Sequence, residues 1–203
     1  MLPRLIGDEA RGRVVVAHLG HGASLCALAE GRSVATTMRL TTLGGLMMGT
    51  RSGTVDPGLV LHLIRSRGMA ASDVADLLNQ CSGLLGVSGI SDDVRVLEAS
   101  EAPEAREPLD LFAYRIVREA GPLVAALGGL DAFVFTGGIG ENAAAIRATV
   151  CLGLAFLGLD IDPERNARGR SRIGRDGSAV PVLVVPADEE REIADEARRI
   201  IGV

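Results

Sequence analysis

Two short apolar runs, one in each half of the chain, lead into clusters of glycine, and this feature restricts the possible folds most. The run RVVVAH covers residues 13–18 and precedes two glycines within residues 20–22, whereas AFVFT at residues 132–136 precedes three glycines within residues 137–140. Runs of β-branched and aromatic residues predict strands, and glycines at their ends predict turns. We therefore expect a sheet whose strands end in glycine-rich connections.

The order of the remaining segments predicts the fold class. Short apolar runs at residues 24–29 and 33–38, joined by the turn Glu30-Gly31-Arg32, predict an antiparallel meander after the first strand. Helices are predicted from Pro57 to Gly68 with Asp56 as cap, from Ser72 as cap, from Pro108 to Leu127, from Glu141 or Asn142 to Val150, and after Asp188 as cap. A further buried strand is predicted from Val182 to Val185. This order indicates an α/β domain with a mixed sheet flanked by helices, and no linker divides it.

Composition excludes several functions. All 21 basic residues are arginine, which excludes a P-loop lysine and a Schiff-base lysine. The net charge is -5, and the basic stretch from Arg165 to Arg175 has no aromatic residue nearby, so we expect a solvated loop and no nucleic-acid partner. The uncharged run from Leu77 to Ser91 is shorter than the roughly 20 residues that a membrane span needs. We expect no membrane partner.

The cysteines and the N-terminus predict a cytoplasmic location. Cys26, Cys81 and Cys151 are odd in number, widely spaced and in apolar surroundings, which indicates buried thiols in a reducing compartment. Asp8 and Glu9 stand where the apolar core of a signal peptide would be.

The turn after the first strand is the first candidate site. It reads His18-Leu19-Gly20-His21-Gly22, and its glycines let backbone N–H groups approach an anion while two imidazoles stand beside them. The alternative is a hairpin turn that merely requires glycine. A metal site is less favoured, because no carboxylate or cysteine stands near the two histidines.

The turn after the second strand is the next candidate. Gly137-Gly138-Ile139-Gly140-Glu141-Asn142 connects a strand to a helix N-terminus, which attracts phosphate through unpaired N–H groups and the helix dipole. The alternative is an ordinary strand-to-helix connection, since the dinucleotide pattern G-x-G-x-x-G is absent.

Charged residues in the loops allow two interpretations each. Arg51, between Gly49 and Gly53, is suited to clamping phosphoryl oxygens, but a lone arginine is commonly a surface ion pair. The pair Asp92-Asp93 is typical of a solvated loop. The acids at residues 188–190 are explained by the helix dipole. His62 is expected to be a packing residue of its helix.

Six segments together resemble the C-terminal half of the acetokinase family. They are VVVAHLGHGAS (14–24), GLMMGTRSGTVDPG (45–58), SGLLGVSGISDDVR (82–95), GGLDAFVFTGGIGENAAAIR (128–147), LGLDID (157–162) and VPADEE (185–190). The resemblance covers nearly the whole chain. It implies an actin, Hsp70 and sugar-kinase-like (ribonuclease H-like) fold. It also implies transfer of the γ-phosphoryl group of ATP to a short carboxylate such as acetate, with Mg²⁺, giving an acyl phosphate and ADP.

The resemblance also implies roles for single residues. Arg51 would stabilise charge on the transferring phosphoryl group, and His18, Leu19, Gly20, His21 and Gly22 would form the phosphate-side hairpin. Asp93, Val94 and Arg95 would lie along the adenosine, whereas Gly138, Ile139, Gly140, Glu141 and Asn142 would complete the nucleotide pocket. Glu189 would lie near Mg²⁺.

Three residues depart from the family pattern. His21 stands where the family has asparagine, Arg39 stands in the strand after the hairpin where a small residue is usual, and Thr54 stands where an acid is common. An imidazole is bulkier than a carboxamide and can carry a proton, so phosphate affinity could change in either direction.

The resemblance places residues 1–203 as a single C-terminal nucleotide-binding lobe without the N-terminal lobe. Family chains are about twice as long, and their first half supplies a phosphate loop, the catalytic carboxylate and a further histidine and arginine. The expected function is therefore one lobe of a two-lobe phosphotransferase, inactive alone and homodimeric. A non-catalytic nucleotide-binding or dimerisation module and half of a propionate or butyrate kinase are the alternatives.

Overall fold

The fold was analysed in a computed structural model of the protein. It describes residues 11–169 and 171–201, apart from the side chain of Glu192. Asp8 and Glu9, on which the argument against a signal peptide depends, and Arg170 of the basic stretch lie outside the described residues.

A five-stranded mixed sheet forms the centre of the fold. Its order is β3-β2-β1-β4-β5; β2 is antiparallel to β1 and β3, and β4 is parallel to β1 and β5. The strands are β1 (Arg13–Leu19), β2 (Ala23–Ala29), β3 (Arg32–Thr36), β4 (Ala132–Thr136) and β5 (Val182–Val184). The predicted meander, the buried strand at residues 132–136 and the mixed sheet are confirmed.

Nine α-helices follow or connect these strands in the described part of the chain. They are α1 (Pro57–Arg65), α2 (Ala71–Gln80), α3 (Gly83–Ser88), α4 (Val94–Ala99), α5 (Arg106–Leu127), α6 (Gly137–Asn142), α7 (Ala144–Gly153), α8 (Pro163–Ala167) and α9 (Glu189–Ile201). Short 3₁₀ turns cover Pro103–Ala105 and Ala155–Leu157.

The main core lies between one face of the sheet and α5. Because strand side chains alternate between faces, Val15, Ala17 and Leu19 of β1 point to this side, where Phe112 and Ile116 of α5 are fully buried with them. These α5 residues lie about one helical turn apart and therefore share one face of the helix. The opposite face carries a smaller cluster: Val14, Ala132, Val134, Leu183 and Val185.

Helix starts differ from the predictions at three places. α5 begins at Arg106, two residues before the predicted Pro108. α6 begins at Gly137, directly after β4, instead of at Glu141 or Asn142, and Ala143 separates it from α7. α2 begins at Ala71 with Ala70 as its cap, and Ser72 lies inside the helix. The Asp56 cap is confirmed, because its side chain accepts a hydrogen bond from the Gly58 backbone N–H.

Three other expectations, about the environment or position of single residues, are wrong. His62 is exposed on α1, a helix that buries none of its residues. Cys81 is exposed and Cys26 half-buried, so only Cys151 is a buried thiol, with its pKa raised to about 12 by burial. Arg39 lies beyond the end of β3 and not in the strand.

The basic stretch around α8 is held by acids on the surface, as expected of a solvated segment. Arg165 pairs with Asp176 at 2.7 Å, and Arg175 pairs with Asp160 at 3.0 Å. Within the described residues, none of the helices combines the length and the apolar character that crossing a membrane requires.

Candidate functional site

The two glycine-rich turns meet at the carboxyl ends of β1 and β4. These strands are parallel neighbours, and His18 is in register with Thr136. Gly137 has φ +79, and a Cβ there would lie 2.7 Å from the Leu19 carbonyl oxygen and 3.2 Å from His18 Cε1. Only glycine allows this backbone conformation and this approach without strain. The two turns that the sequence singles out are therefore in direct contact.

Arg51 lies beside the first of these turns. A Cβ on Gly22 would be 3.9 Å from a terminal nitrogen of Arg51, and Nη1 of Arg51 donates to the Thr42 carbonyl at 2.9 Å. No carboxylate of the described residues forms an ion pair with Arg51 within 4.0 Å. The guanidinium therefore stands next to the hairpin without a carboxylate partner, and the surface ion pair considered as the alternative is absent from the described structure.

The segment that carries Arg51 is fixed by the end of α2. Ser52 N–H donates to the Leu78 carbonyl at 3.0 Å, and Thr50 Oγ1 donates to the Asn79 carbonyl at 2.8 Å. Ser82 N–H returns a bond to the Thr50 carbonyl at 2.9 Å, immediately after the exposed Cys81. Backbone bonds on both sides of Arg51 thus set the position of its side chain.

The segment before α4 forms the opposite side of the site. Asp93 caps α4 by accepting from the Arg95 N–H at 2.8 Å, and the two side chains also form an ion pair at 2.5 Å. The Arg95 guanidinium, by hydrogen bonding, holds the pKa of the Asp93 carboxyl below its usual range. The Asp93 carboxylate therefore stays ionised, and it is already engaged as the cap of α4.

His21 connects the hairpin to this segment. Its Nε2 lies 3.0 Å from Asp92 Oδ2. Gly49 lies against the same ring edge, since a Cβ there would be 3.0 Å from both Cδ2 and Nε2 of His21, and the Gly49 N–H donates to the His21 carbonyl at 3.3 Å. Two separate segments, those of Gly49 and Asp92, thus contact His21 of the hairpin.

A cavity of about 710 Å³ opens between these segments. Its lining consists of Gly20, His21, Asp92, Asp93, Val94, Arg95, Glu98, Gly138, Ile139, Asn142 and Ala143. A volume of this size is typical of a small-molecule site. Eight of the lining residues are among the sequence-predicted site residues, and they come from three distant segments.

Several predicted site residues are not in the lining of the cavity. Leu19 is fully buried in the core, and Gly140 packs against Phe135. The Glu141 carboxylate accepts a bond from the Ala187 N–H at 2.9 Å, which turns it toward the segment after β5. His18, Gly22 and Arg51 are likewise outside the lining.

Three lining residues were not predicted as site residues: Asp92, Glu98 and Ala143. The adjacent acids at positions 92 and 93 were the available signal for Asp92. Burial raises the pKa of the Glu98 carboxyl, which faces both this cavity and a neighbouring one. Nothing in the local sequence distinguishes Ala143, which enters the lining because α6 ends just before it.

A buried arginine holds α6 in place. Arg147 is 1% exposed and donates to the carbonyls of Gly140 (3.0 Å) and Glu141 (2.8 Å). The same guanidinium binds Asn166 of α8 through the side-chain oxygen (2.8 Å) and the carbonyl (2.6 Å). The carboxyl end of a helix is the negative end of its dipole, so these carbonyls stabilise the buried cation. Burial lowers the pKa of the Arg147 guanidinium.

The predicted metal residue lies close to the hairpin. Glu189 Oε1 is 3.8 Å from His18 Nε2 at the start of α9. Among residues 11–169 and 171–201 there is no group of three or more His, Cys, Asp or Glu able to hold a metal ion. Mg²⁺ in phosphoryl-transfer sites is commonly bound by one or two carboxylates together with substrate phosphates and water, so a single carboxylate here fits that mode and not a protein-only cage.

Comparison with known proteins identifies the family. The model of the acetokinase family matches residues 4–195. The chain belongs to the acetokinase family. Acetate kinase of Rhodopseudomonas palustris (strain TIE-1) is 55% identical over 202 residues, which cover 98% of this chain and 51% of that protein. The chain thus spans about half the length of the curated relatives it matches.

Solved structures agree with the sequence match. Porphyromonas gingivalis acetate kinase superposes with a TM-score of 0.89 at 39% identity, covering 95% of this chain and 50% of that one. A propionate kinase from Francisella tularensis superposes with a TM-score of 0.87 at 36% identity, covering 95% of this chain and 52% of that one. These superpositions confirm that the chain has an α/β fold like that of the matching part of acetate and propionate kinases.

Proposed function

We propose that residues 1–203 form the C-terminal, nucleotide-binding lobe of an ATP:acetate phosphotransferase. The observation that carries this proposal is the convergence of the two glycine turns and the Arg51 segment beside one cavity at the carboxyl ends of β1 and β4. In sheets with parallel strands, ligands commonly bind outside these strand ends. Membership of the acetokinase family supplies the reaction class.

In this proposal, different segments of the site contact different parts of the nucleotide. Asp93, Val94 and Arg95 lie along the adenosine, and the turn from Gly138 to Asn142 faces the phosphates. His18–Gly22 forms the other side of the phosphate site. Arg51 stabilises negative charge on the transferring phosphoryl group as it passes to acetate, because phosphoryl transfer depends chiefly on positioning and charge neutralisation. Mg²⁺ neutralises phosphate charge when bound with the nucleotide, and Glu189 is the carboxylate that would hold it.

Transfer needs a second side to the site, which the relatives' other half would supply. Positioning of the acceptor contributes several kcal/mol to such reactions, and exclusion of water requires closure from both sides. We therefore expect the 203-residue chain alone to form no acetyl phosphate from ATP and acetate. Trapping acetyl phosphate with hydroxylamine measures this; formation above the level of an Arg51→Ala variant would contradict the proposal that this lobe is incomplete.

ATP binding tests the site itself. Calorimetry with the chain is expected to give weak but measurable ATP affinity. Arg51→Ala should weaken ATP by about tenfold and leave AMP nearly unchanged, because its guanidinium acts on the terminal phosphate. Arg32→Ala, at an exposed position of β3, serves as the matched control. Absence of binding at millimolar ATP, or equal losses for ATP and AMP, would count against the assignment.

We further propose a homodimer that uses α1. This helix exposes Leu59, Leu61 and Ile64 and buries none of its residues, which is typical of a helix that a partner covers. The occupant we expect is a second copy of the chain. Sedimentation should give a dimer at micromolar concentration, converted to monomer by Leu61→Asp. A monomeric wild type would refute this.

A cytoplasmic location, suggested by three free thiols, belongs to the same set of proposals.

A second candidate function is half of a propionate or butyrate kinase, favoured by the close superposition on a propionate kinase. It uses the same nucleotide site and differs only in the acceptor. Assays of the chain joined to the N-terminal half of a relative, with acetate, propionate and butyrate compared by kcat/KM, distinguish the two. A chain that binds ATP but supports no transfer in that hybrid would instead be a non-catalytic binding or dimerisation module.

A further inference from the structure

A cavity of about 390 Å³ lies between the Arg51 segment, α3 and α5, and it shares no lining residue with the cavity of the proposed nucleotide site. Of the described residues that line it, only Arg115 of α5 is charged, and we call it the Arg115 cavity. Its lining also contains Met47, Thr54, Val55, Cys81, Val87 and Leu111. The cavity therefore combines one cation with hydroxyl, thiol and apolar side chains.

The protein satisfies the Arg115 guanidinium poorly. Nη2 donates two long hydrogen bonds, to the carbonyls of Gly45 at 3.4 Å and Thr54 at 3.3 Å. Nε is buried without a hydrogen-bond partner, and Nη1 has none among the described residues. Unlike Nε, Nη1 is not among the buried atoms that lack a partner, so it is open to solvent. Nη1 is therefore a donor that a ligand in the cavity can use.

The carboxylate closest to Arg115 in the described structure leaves these donors free. Glu119, one turn further along α5, places Oε1 3.8 Å from Arg115 Nη2, which is beyond hydrogen-bond distance. Both side chains are largely buried, and Glu119 is not part of the lining. Glu119 thus compensates part of the positive charge without occupying the N–H groups of Arg115, so an anion in the cavity would gain a direct contact.

Thr54 supplies a second donor beside the guanidinium. Its hydroxyl oxygen accepts from the Gly45 N–H at 2.9 Å, its hydroxyl hydrogen donates to no described residue, and its carbonyl contacts Arg115. The hydroxyls of Ser52 and Ser82 instead donate to backbone carbonyls at 2.9 Å and 2.8 Å. Arg115 and Thr54 are therefore the strong side-chain donors of this lining that remain available to a ligand.

We propose that the Arg115 cavity binds a small monocarboxylate, with its carboxylate at Arg115 and the Thr54 hydroxyl and its alkyl group against Met47 and Leu111. A carboxylate matches the planar guanidinium in shape and charge. A phosphate dianion fits less well, because a single cation would have to compensate two charges among apolar side chains. The inference does not rest on the proposed nucleotide site. The ligand would contact the segment that carries Arg51.

Cys81, which is exposed and lines the same cavity, provides the measurement. Iodoacetate carries the carboxylate that Arg115 should bind, and iodoacetamide is its neutral counterpart. With either reagent the Cys81 sulfur displaces iodide, a carbon–sulfur bond forms and the thiol proton passes to solvent. Peptide mass spectrometry gives the ratio of the two rate constants, iodoacetate over iodoacetamide. This ratio should be about tenfold higher at Cys81 than for free 2-mercaptoethanol, because the carboxylate is held beside the thiol.

Substitutions at Thr54 distinguish the cavity from the general field of the protein. Thr54→Asp places a carboxylate beside the guanidinium and keeps an acceptor for the Gly45 N–H, and it should lower the ratio about tenfold. Thr54→Asn is the matched neutral control and should change the ratio less than about twofold. Gln80→Glu adds the same charge at an exposed position next to Cys81 but outside the lining. Its effect should also stay below about twofold at about 0.1 M salt, where exposed charges are screened.

Protection of Cys81 measures reversible binding. Propionate at millimolar concentration should slow alkylation by iodoacetamide, and propionamide, its neutral counterpart, should not. Sodium chloride keeps the ionic strength equal in the two samples. Thr54→Asp should abolish the protection. Arg51→Ala should leave it intact, because Arg51 is not in the lining of this cavity. Melting curves verify that each variant is folded.

Four results would overturn the assignment of a carboxylate site. The first is a ratio at Cys81 equal to that of 2-mercaptoethanol, and the second is a Cys81 that reacts with neither reagent, since the cavity would then be closed to small molecules. Equal losses in Thr54→Asp and Gln80→Glu would attribute the ratio to the general field. Loss of protection in Arg51→Ala would place propionate at the proposed phosphoryl site instead. None of these results bears on ATP affinity, so the proposed nucleotide function stands or falls separately.

Discussion

The two ends of the parallel strands β1 and β4 are each held by an arginine, but the two arginines have opposite surroundings. At the amino ends, Arg13 binds both carboxylate oxygens of Asp131, with 2.6 Å between Nη2 and Oδ1, and the two side chains are 42% and 40% exposed. At the carboxyl ends, Arg147 is buried, and all its hydrogen bonds go to carbonyl and amide oxygens. One end uses a surface ion pair, the other a buried cation.

The two ends also differ in what the arginine joins. At the amino end, Asp131 accepts from the Arg13 backbone N–H as well as from its side chain, so the pair joins the start of β1 to the residue before β4. At the carboxyl end, the carbonyls of Gly140 and Glu141 hold the Arg147 guanidinium without adding net negative charge. The buried arrangement therefore fixes α6 without adding another carboxylate to a cavity that Asp92, Asp93 and Glu98 already line.

Removal of the buried Arg147 guanidinium should have the largest effect on the free energy of unfolding. Arg147→Met leaves the carbonyls of Gly140 and Glu141 and the oxygens of Asn166 without their donor, and we expect a loss of about 3 kcal/mol in the free energy of unfolding. Arg168→Met, which removes only an exposed ion pair with Glu164, should cost less than about 0.5 kcal/mol. Urea denaturation measures both. A similar stability for the two variants would mean that the Arg147 network contributes little.

Alanine substitutions in the turn after β4 should have an intermediate effect on the free energy of unfolding, and the effect should differ between Gly137 and Gly138. Gly137→Ala places a methyl group against the Leu19 carbonyl at positive φ, and we expect a loss of about 2 kcal/mol. Gly138→Ala is the matched control, since a Cβ there meets nothing within 4 Å and alanine favours helix. Its stability should be unchanged or slightly higher, although ATP affinity should fall because Gly138 lines the cavity. Equal stability of the two variants would refute the direct packing of the two turns.

Loss of the Arg13–Asp131 ion pair at the amino ends of the strands should have the smallest effect on the free energy of unfolding. This effect should depend on pH. Hydrogen bonds from Arg13 lower the pKa of the Asp131 carboxyl to about 2. Because the folded value lies below the ordinary value of about 4, the stabilisation is complete above that pH and is lost as the pH falls toward 2. Asp131→Asn should therefore cost about 1 kcal/mol at neutral pH, since exposure screens the pair. The difference from wild type should narrow on acidification below about pH 4; a constant difference would contradict the pairing.

The sequence predicts the parts of the fold whose signal is local. The apolar run of β4 and the Asp56-Pro57 helix start are each determined by neighbouring residues, and both are found. The glycine-rich helices α3 and α6 were missed because glycine disfavours helix locally. In α3 tertiary contacts form the helix, since the Leu84 and Leu85 N–H groups donate to carbonyls of the Arg51 segment.

The residues of the candidate site likewise fall into those that the sequence predicts and those that it does not. Glycines beside strand ends can be found from the sequence, and so can Arg51 between two glycines. The partners of His21 and of Arg147 cannot, because Asp92 is 71 residues from His21 and Asn166 is 19 residues from Arg147. A charge whose role is set by a distant segment has no local pattern.

The exposed thiol of Cys81 lies next to the segment that positions Arg51. Its neighbour Ser82 is bonded to the Thr50 carbonyl, and Asn79 accepts from the Thr50 hydroxyl. An environment-sensitive fluorophore attached at Cys81 would therefore report movement of the Arg51 segment from outside the cavity, without occupying the space that a nucleotide needs. In a protein with no tryptophan and a single tyrosine, such a label would give a clear optical signal over a nearly silent background.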